Sequence, residues 1–93
     1  MKENVSLNRL IWCKDEKTLE KYNKYVSDIA KKIIEELSDN DRKELLKDSN
    51  YINHHFGFGM YIRNNYIYEK IDIKIDADEM SADIFYEILK QLK

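Results

Sequence analysis

The sequence predicts a small, mainly all-α domain of four helices, and three observations carry that expectation. The 93 residues contain no proline and only two glycines, so long helices meet few chain breakers. Two stretches repeat apolar residues at three- and four-residue intervals. The length suits one core and one domain over 1–93. A composition of 43% hydrophobic, 12% aromatic and 37% charged residues is that of a folding chain, not of a disordered tail.

The N-terminal arm, residues 1–14, carries Val5, Leu7, Leu10, Ile11 and Trp12 without a clear period and is expected to dock through Trp12. From Asp15 the pattern becomes helical. Leu19, Tyr22, Val26, Ile29, Ala30, Ile33, Ile34 and Leu37 form one apolar face, with Lys and Glu on the other. Asp15 is suited to cap this helix and Glu16 to face the positive end of its dipole. Ser38-Asp39-Asn40-Asp41 breaks the pattern, because such side chains compete for backbone hydrogen bonds. A short second helix is expected over 39–47, turning Leu45 and Leu46 inward.

After Asp48-Ser49-Asn50, apolar residues fall on every face of the stretch 53–65. That pattern predicts a buried helix at the centre of the bundle. Gly57 and Gly59 would each cost about 1 kcal/mol inside a helix, which implies close backbone approach there. Residues Ile71 to Asp76 alternate apolar and charged with a period of two, a half-buried strand signature. The expectation over 66–77 is therefore a short extended or β segment, lying across helices or pairing with Val5 and Leu7. Asp78 then caps a last helix from Glu79 to about Leu92, with Met80, Ile84, Phe85, Ile88, Leu89 and Leu92 as its stripe.

Charge narrows the function classes. Sixteen basic against 18 acidic residues give a net charge of −2, without the basic excess that nucleic-acid binding needs. No apolar run reaches the length of a membrane span, and the N-terminal residues lack an apolar stretch of signal-peptide length, so a cytoplasmic location is expected. Cys13 is the single cysteine and has no disulfide partner within the chain.

Catalytic and cofactor motifs are absent or incomplete. Gly57-Phe58-Gly59-Met60-Tyr61-Ile62 begins like a dinucleotide fingerprint but ends on Ile62 and follows no strand. Adjacent His54 and His55 point about 100° apart in a helix and have no second ligand cluster. Asp72, Asp76, Asp78 and Glu79 lack the spacing of a calcium loop. Ser6, Ser27, Ser38, Ser49 and Ser81 have no nucleophile-elbow setting. No metal, cofactor or catalytic residue is assigned, and the expectation is a non-enzyme.

Two features point to binding. Arg63, inside an apolar helix, needs a counter-charge, and Asp76, Asp78 and Glu79 are its natural partners. Asp72, Asp76, Asp78, Glu79, Asp83 and Glu87 place six carboxylates in sixteen residues against Lys74 alone, a face able to steer a basic partner.

The run His55-Phe56-Gly57-Phe58-Gly59-Met60-Tyr61-Ile62-Arg63-Asn64 and the later Asp78-Glu79-Met80-Ser81 resemble the H-F-G-x-G-x-x-I-R-N and D-x-x-S motifs of a family of small, uncharacterised bacterial α-helical proteins. The resemblance covers about residues 12–92, although the family's segment between the motifs is longer. It is similar to immunity-type proteins encoded beside bacterial toxins. It implies a stoichiometric inhibitor of a basic, nuclease-type toxin, with His55, Phe56, Gly57, Gly59, Arg63 and Asn64 as the family motif and the six carboxylates as the partner-binding face. The alternative is a small metal- or anion-binding enzyme or regulatory domain using His54, His55 and Arg63.

Overall fold

Helix α2 (Glu16–Glu36) forms where the apolar period is longest, and it buries Tyr22, Val26, Ile29, Ala30 and Ile33. Asp15 caps it, its carboxylate accepting from the Thr18 backbone N–H at 2.8 Å. The computed structural model describes residues 7–93. Before α2 lies a one-turn helix, α1 (Leu7–Ile11), and after it α3 (Asp39–Lys47), capped by Ser38 accepting from the Asp41 N–H at 3.1 Å. α3 turns Leu45 inward but leaves Leu46 exposed.

Residues 51–67 form one continuous helical segment of changing pitch. A 3-10 turn (Tyr51–His54) passes into a π-helical turn (His55–Gly59), then α4 (Met60–Ile62), then a second π-helical turn (Arg63–Ile67). The pitch explains which residues face inward. Tyr51, Gly59, Arg63 and Ile67 are buried and His55 is half-buried, all four residues apart. In a straight α-helix a stride of four drifts by about 40° per step. The wider π turns drift the other way, so the stride stays on one face.

Helix α5 (Ala77–Leu92) closes the chain and packs against α1, α2, α3, α4 and the 3-10 and π turns. Met80, Ile84, Phe85 and Ile88 are completely buried there. Burying Phe85 alone contributes on the order of 1.5–3 kcal/mol. The cap is Asp76, whose Oδ1 accepts from the Asp78 N–H at 2.9 Å, two residues before the cap expected from the sequence.

The all-α class and the helical bundle stand, with three corrections. There are five α-helices among the described residues, not four, because α1 forms where an irregular arm was expected. Of that arm, Val5 and the rest of 1–6, including Ser6, lie outside the described residues. There is no strand among the described residues, and 71–76 is irregular. Burial does alternate along it: Ile71, Ile73 and Ile75 are half-buried and Asp72 and Lys74 exposed. A ladder, however, needs a partner, and Leu7 is helical. The buried Asn8 side chain supplies the missing hydrogen bonds instead. Its Oδ1 accepts from the Asp76 N–H at 2.7 Å and its Nδ2 donates to the Asp76 carbonyl at 3.1 Å. Third, the central buried helix is α5, not the motif segment, on which Ile52 is 78% and Phe56 80% exposed.

Candidate functional site

The stretch from His55 to Asn64 divides into an inner and an outer half. Arg63, only 5% exposed, anchors the inner half. Its Nη1 donates to Tyr51 Oη at 3.0 Å and Ser81 Oγ at 3.1 Å, and its Nη2 donates to the His55 carbonyl at 3.0 Å. Nε faces Asp78 Oδ1 at 3.4 Å, so the counter-charge expected on the last helix is present. Ser81 donates to the Asp78 carbonyl at 2.8 Å, which leaves the Tyr51 hydroxyl to donate to Ser81 across 2.5 Å. The cluster locks the motif segment to α5. Within the cluster Ser81 Oγ and the Arg63 guanidinium are both held by protein partners.

The two glycines behave differently. A Cβ at Gly59 would run into Tyr51 Oη and stand 3.0 Å from Tyr51 Cζ and 3.1 Å from Arg63 Nη1. A Cβ at Gly57 would meet nothing within 4 Å. The expected close approach of another backbone is found at neither glycine: Gly59 is crowded by the Tyr51 and Arg63 side chains, and Gly57 by nothing, because only Gly59 lies on the inward stride. Phe56, Gly57 and Asn64 face solvent. Ile52, Phe56 and Met60, again four apart, form an exposed apolar stripe on the outer half.

The histidines take separate roles. His54 Nε2 lies 2.8 Å from the Asp48 carbonyl oxygen, and its ring tilts on Phe85 at 5.1 Å. His55 meets Tyr51 and Phe56 edge-on at 5.7 and 4.9 Å. No group of three or more His, Cys, Asp or Glu side chains is arranged to hold a metal ion among the described residues.

The six carboxylates of the expected partner face are largely engaged within the chain. Asp72 accepts from Lys21 Nζ and from the Tyr25 hydroxyl, both at 2.5 Å, and these partners hold its carboxyl below the usual range. Asp76 caps α5, Asp78 pairs with Arg63, and Asp83 accepts from the Tyr22 hydroxyl. Glu87 accepts from Gln91 Nε2 at 3.0 Å, and Glu79 is half-buried.

A feature that the sequence reading missed lies between α2, α3 and the motif segment. A groove of about 420 Å³ has Glu36, Asp41 and Glu44 along one side with Leu37 and Leu45. The other side is His54, Phe58 and Tyr61. Phe58 and Tyr61 stack 9° from parallel with centroids 6.0 Å apart. Tyr66 donates to the Glu36 carboxylate, a bond that pushes its phenol well above the ordinary range. The i, i+3 pair Asp41 and Glu44 was the signal in the sequence, but its aromatic counterpart lies some fourteen residues on and only the fold joins them.

No protein-family model, curated protein or solved structure matches the chain. No helix among the described residues is long and apolar enough to cross a membrane.

Proposed function

We propose that this chain is a protein-binding module of the immunity type, a stoichiometric inhibitor that occludes a basic, nuclease-type bacterial toxin. The observation that carries the reading is the exposed stripe Ile52, Phe56 and Met60, which holds a phenylalanine 80% in water beside a well-filled core. Isolated exposed apolar residues are ordinary, but an apolar row on one helical face is the usual mark of a partner surface. The resemblance in the motif and the net charge of −2 support a basic partner. Asp72, Asp76, Asp78, Glu79, Asp83 and Glu87 act in this reading through their field, which steers approach without each carboxylate having to be unpaired.

The test is affinity capture from host lysate at low and moderate salt, followed by reconstitution with the purified partner and an assay of that partner's nuclease activity. A 1:1 complex with a basic protein whose activity is abolished is expected. Absence of any partner, or a partner that stays active when bound, overturns the proposal.

A further inference from the structure

The groove between α2, α3 and the motif segment has a composition that selects one kind of occupant. Three carboxylates, Glu36, Asp41 and Glu44, face an aromatic wall of Phe58 and Tyr61, and His54 is the single basic group lining it. The lining is mostly apolar but carries three exposed carboxylates, so an occupant that matches it needs both a flat apolar face and a positive edge, and an anion would be repelled. An ammonium can meet the charge or sit over a ring as a point cation, as Lys74 does over Trp12 at 4.9 Å, but it cannot lie flat on a ring while its edge donates to two carboxylates. A guanidinium does both: its plane stacks on an aromatic face while its edge donates to carboxylate oxygens.

The corner is also the C-terminal end of α2, whose own last turn holds no basic residue and whose negative dipole end is met from α3 by Arg42. The chain already seats one guanidinium close by, since Arg42 Nη2 donates to the Ile34 carbonyl at 2.8 Å. A volume of about 420 Å³ lies within the roughly 300–1,000 Å³ typical of ligand pockets.

We infer that this groove receives an arginine side chain presented by a basic protein partner. The inference rests on the proposed function for the nature of that partner, and it adds a contact in the groove between α2, α3 and the motif segment, away from the acidic residues of α5. Glu44 and Asp41 bind the guanidinium edge, Tyr61 and Phe58 its face.

The experiment is an amide chemical-shift titration of the intact protein with a blocked hexa-arginine peptide, a blocked hexalysine peptide and blocked arginine amide. Saturable shifts at Leu37, Leu45, Phe58 and Tyr61 are expected with hexa-arginine, with weaker binding of hexalysine. Asp41→Asn/Glu44→Gln should lower affinity on the order of tenfold, whereas Glu20→Gln on α2 should not. Tyr61→Leu, which leaves the charges in place, should remove the preference for arginine over lysine. Thermal melts confirm that each variant folds.

Shifts spread along α5, equal binding of the two peptides, or unchanged affinity in the double variant overturn the inference. Arginine amide binding as tightly as the peptide also overturns it, in favour of a free small-molecule site. Groove binding with no toxin captured sinks the proposed function alone. A captured toxin indifferent to Asp41→Asn/Glu44→Gln sinks this inference alone.

Discussion

The two motif glycines look equivalent in the chain and have opposite consequences in the fold. Gly59→Ala places a methyl against Tyr51 and Arg63, so a destabilisation of about 1–3 kcal/mol is expected by chemical denaturation. Gly57→Ala has open space and no positive φ, so it should be neutral or stabilise by about 0.4–1 kcal/mol through the unfolded chain. Equal effects at both positions would contradict this account. At Arg63, Arg63→Ala leaves the His55 carbonyl and the Tyr51–Ser81 pair without their donor, a cost of about 2–3 kcal/mol. Arg63→Lys should recover little of it, because one ammonium cannot span three acceptors and Asp78 in the guanidinium geometry. The need for a counter-charge was legible in the sequence, as was Asp78 among its partners. Tyr51 and Ser81 were not, since neutral hydroxyls carry no signal of where they will be needed.

At the scale of elements, the irregular stretch between the motif segment and α5 depends on two side-chain ties. Asn8 bonds both backbone polar groups of Asp76 from a completely buried position, so Asn8→Leu should cost about 2–3 kcal/mol. It should also speed hydrogen exchange at the Asp76 amide, and unchanged protection there would count against the tie. The second tie is Asp72 with Lys21 and Tyr25. A carboxyl whose folded-state pKa is depressed stabilises the fold above its unfolded value, near 3.8, and loses that contribution as pH falls through the folded value. Asp15 and Asp48 are depressed in the same way by their hydrogen bonds to Thr18 and Asn53. Stability should therefore decline below about pH 4, and Asp72→Asn should lower stability above about pH 5 while flattening that decline, because the variant has no carboxyl left to protonate. Lys21, raised by the same carboxylate, acts oppositely and is lost only above its ordinary value of 10.5.

Across the whole molecule, the residues that carry stability and the surface proposed for binding are distinct. The inner face of the motif segment is spent on packing against α5, while Ile52 and Phe56 stand mostly in solvent and Met60 is 44% exposed. Phe56→Ser should leave the melting free energy within about 0.5 kcal/mol of the parent. In the complex it should weaken partner binding by at least tenfold, as measured calorimetrically, if the stripe is a contact. A fall in stability instead would mark Phe56 as structural. Charge reversal at Asp78 is a poor probe of the interface, because it places a cation against Arg63 and perturbs the fold first.

The sequence by itself determined the all-α class, α2 with its Asp15 cap, the span of α3 and the apolar stripe of α5. Those features are local: a 3.6-residue period and a capping side chain act within a few residues of the chain. It also carried the requirement that Arg63 be paired, because burying a lone charge is prohibitive wherever it occurs. Tertiary structure decided the rest. Whether a period-two stretch becomes a strand depends on a partner strand, and here Asn8 stood in for one. Whether an all-round apolar helix is central depends on what competes for the centre, and α5 took that place while π turns kept one motif face inward. The groove of Glu36, Asp41 and Glu44 against Phe58 and Tyr61 exists only after three elements meet, because its charge and its aromatic surface come from parts of the chain that no local pattern relates.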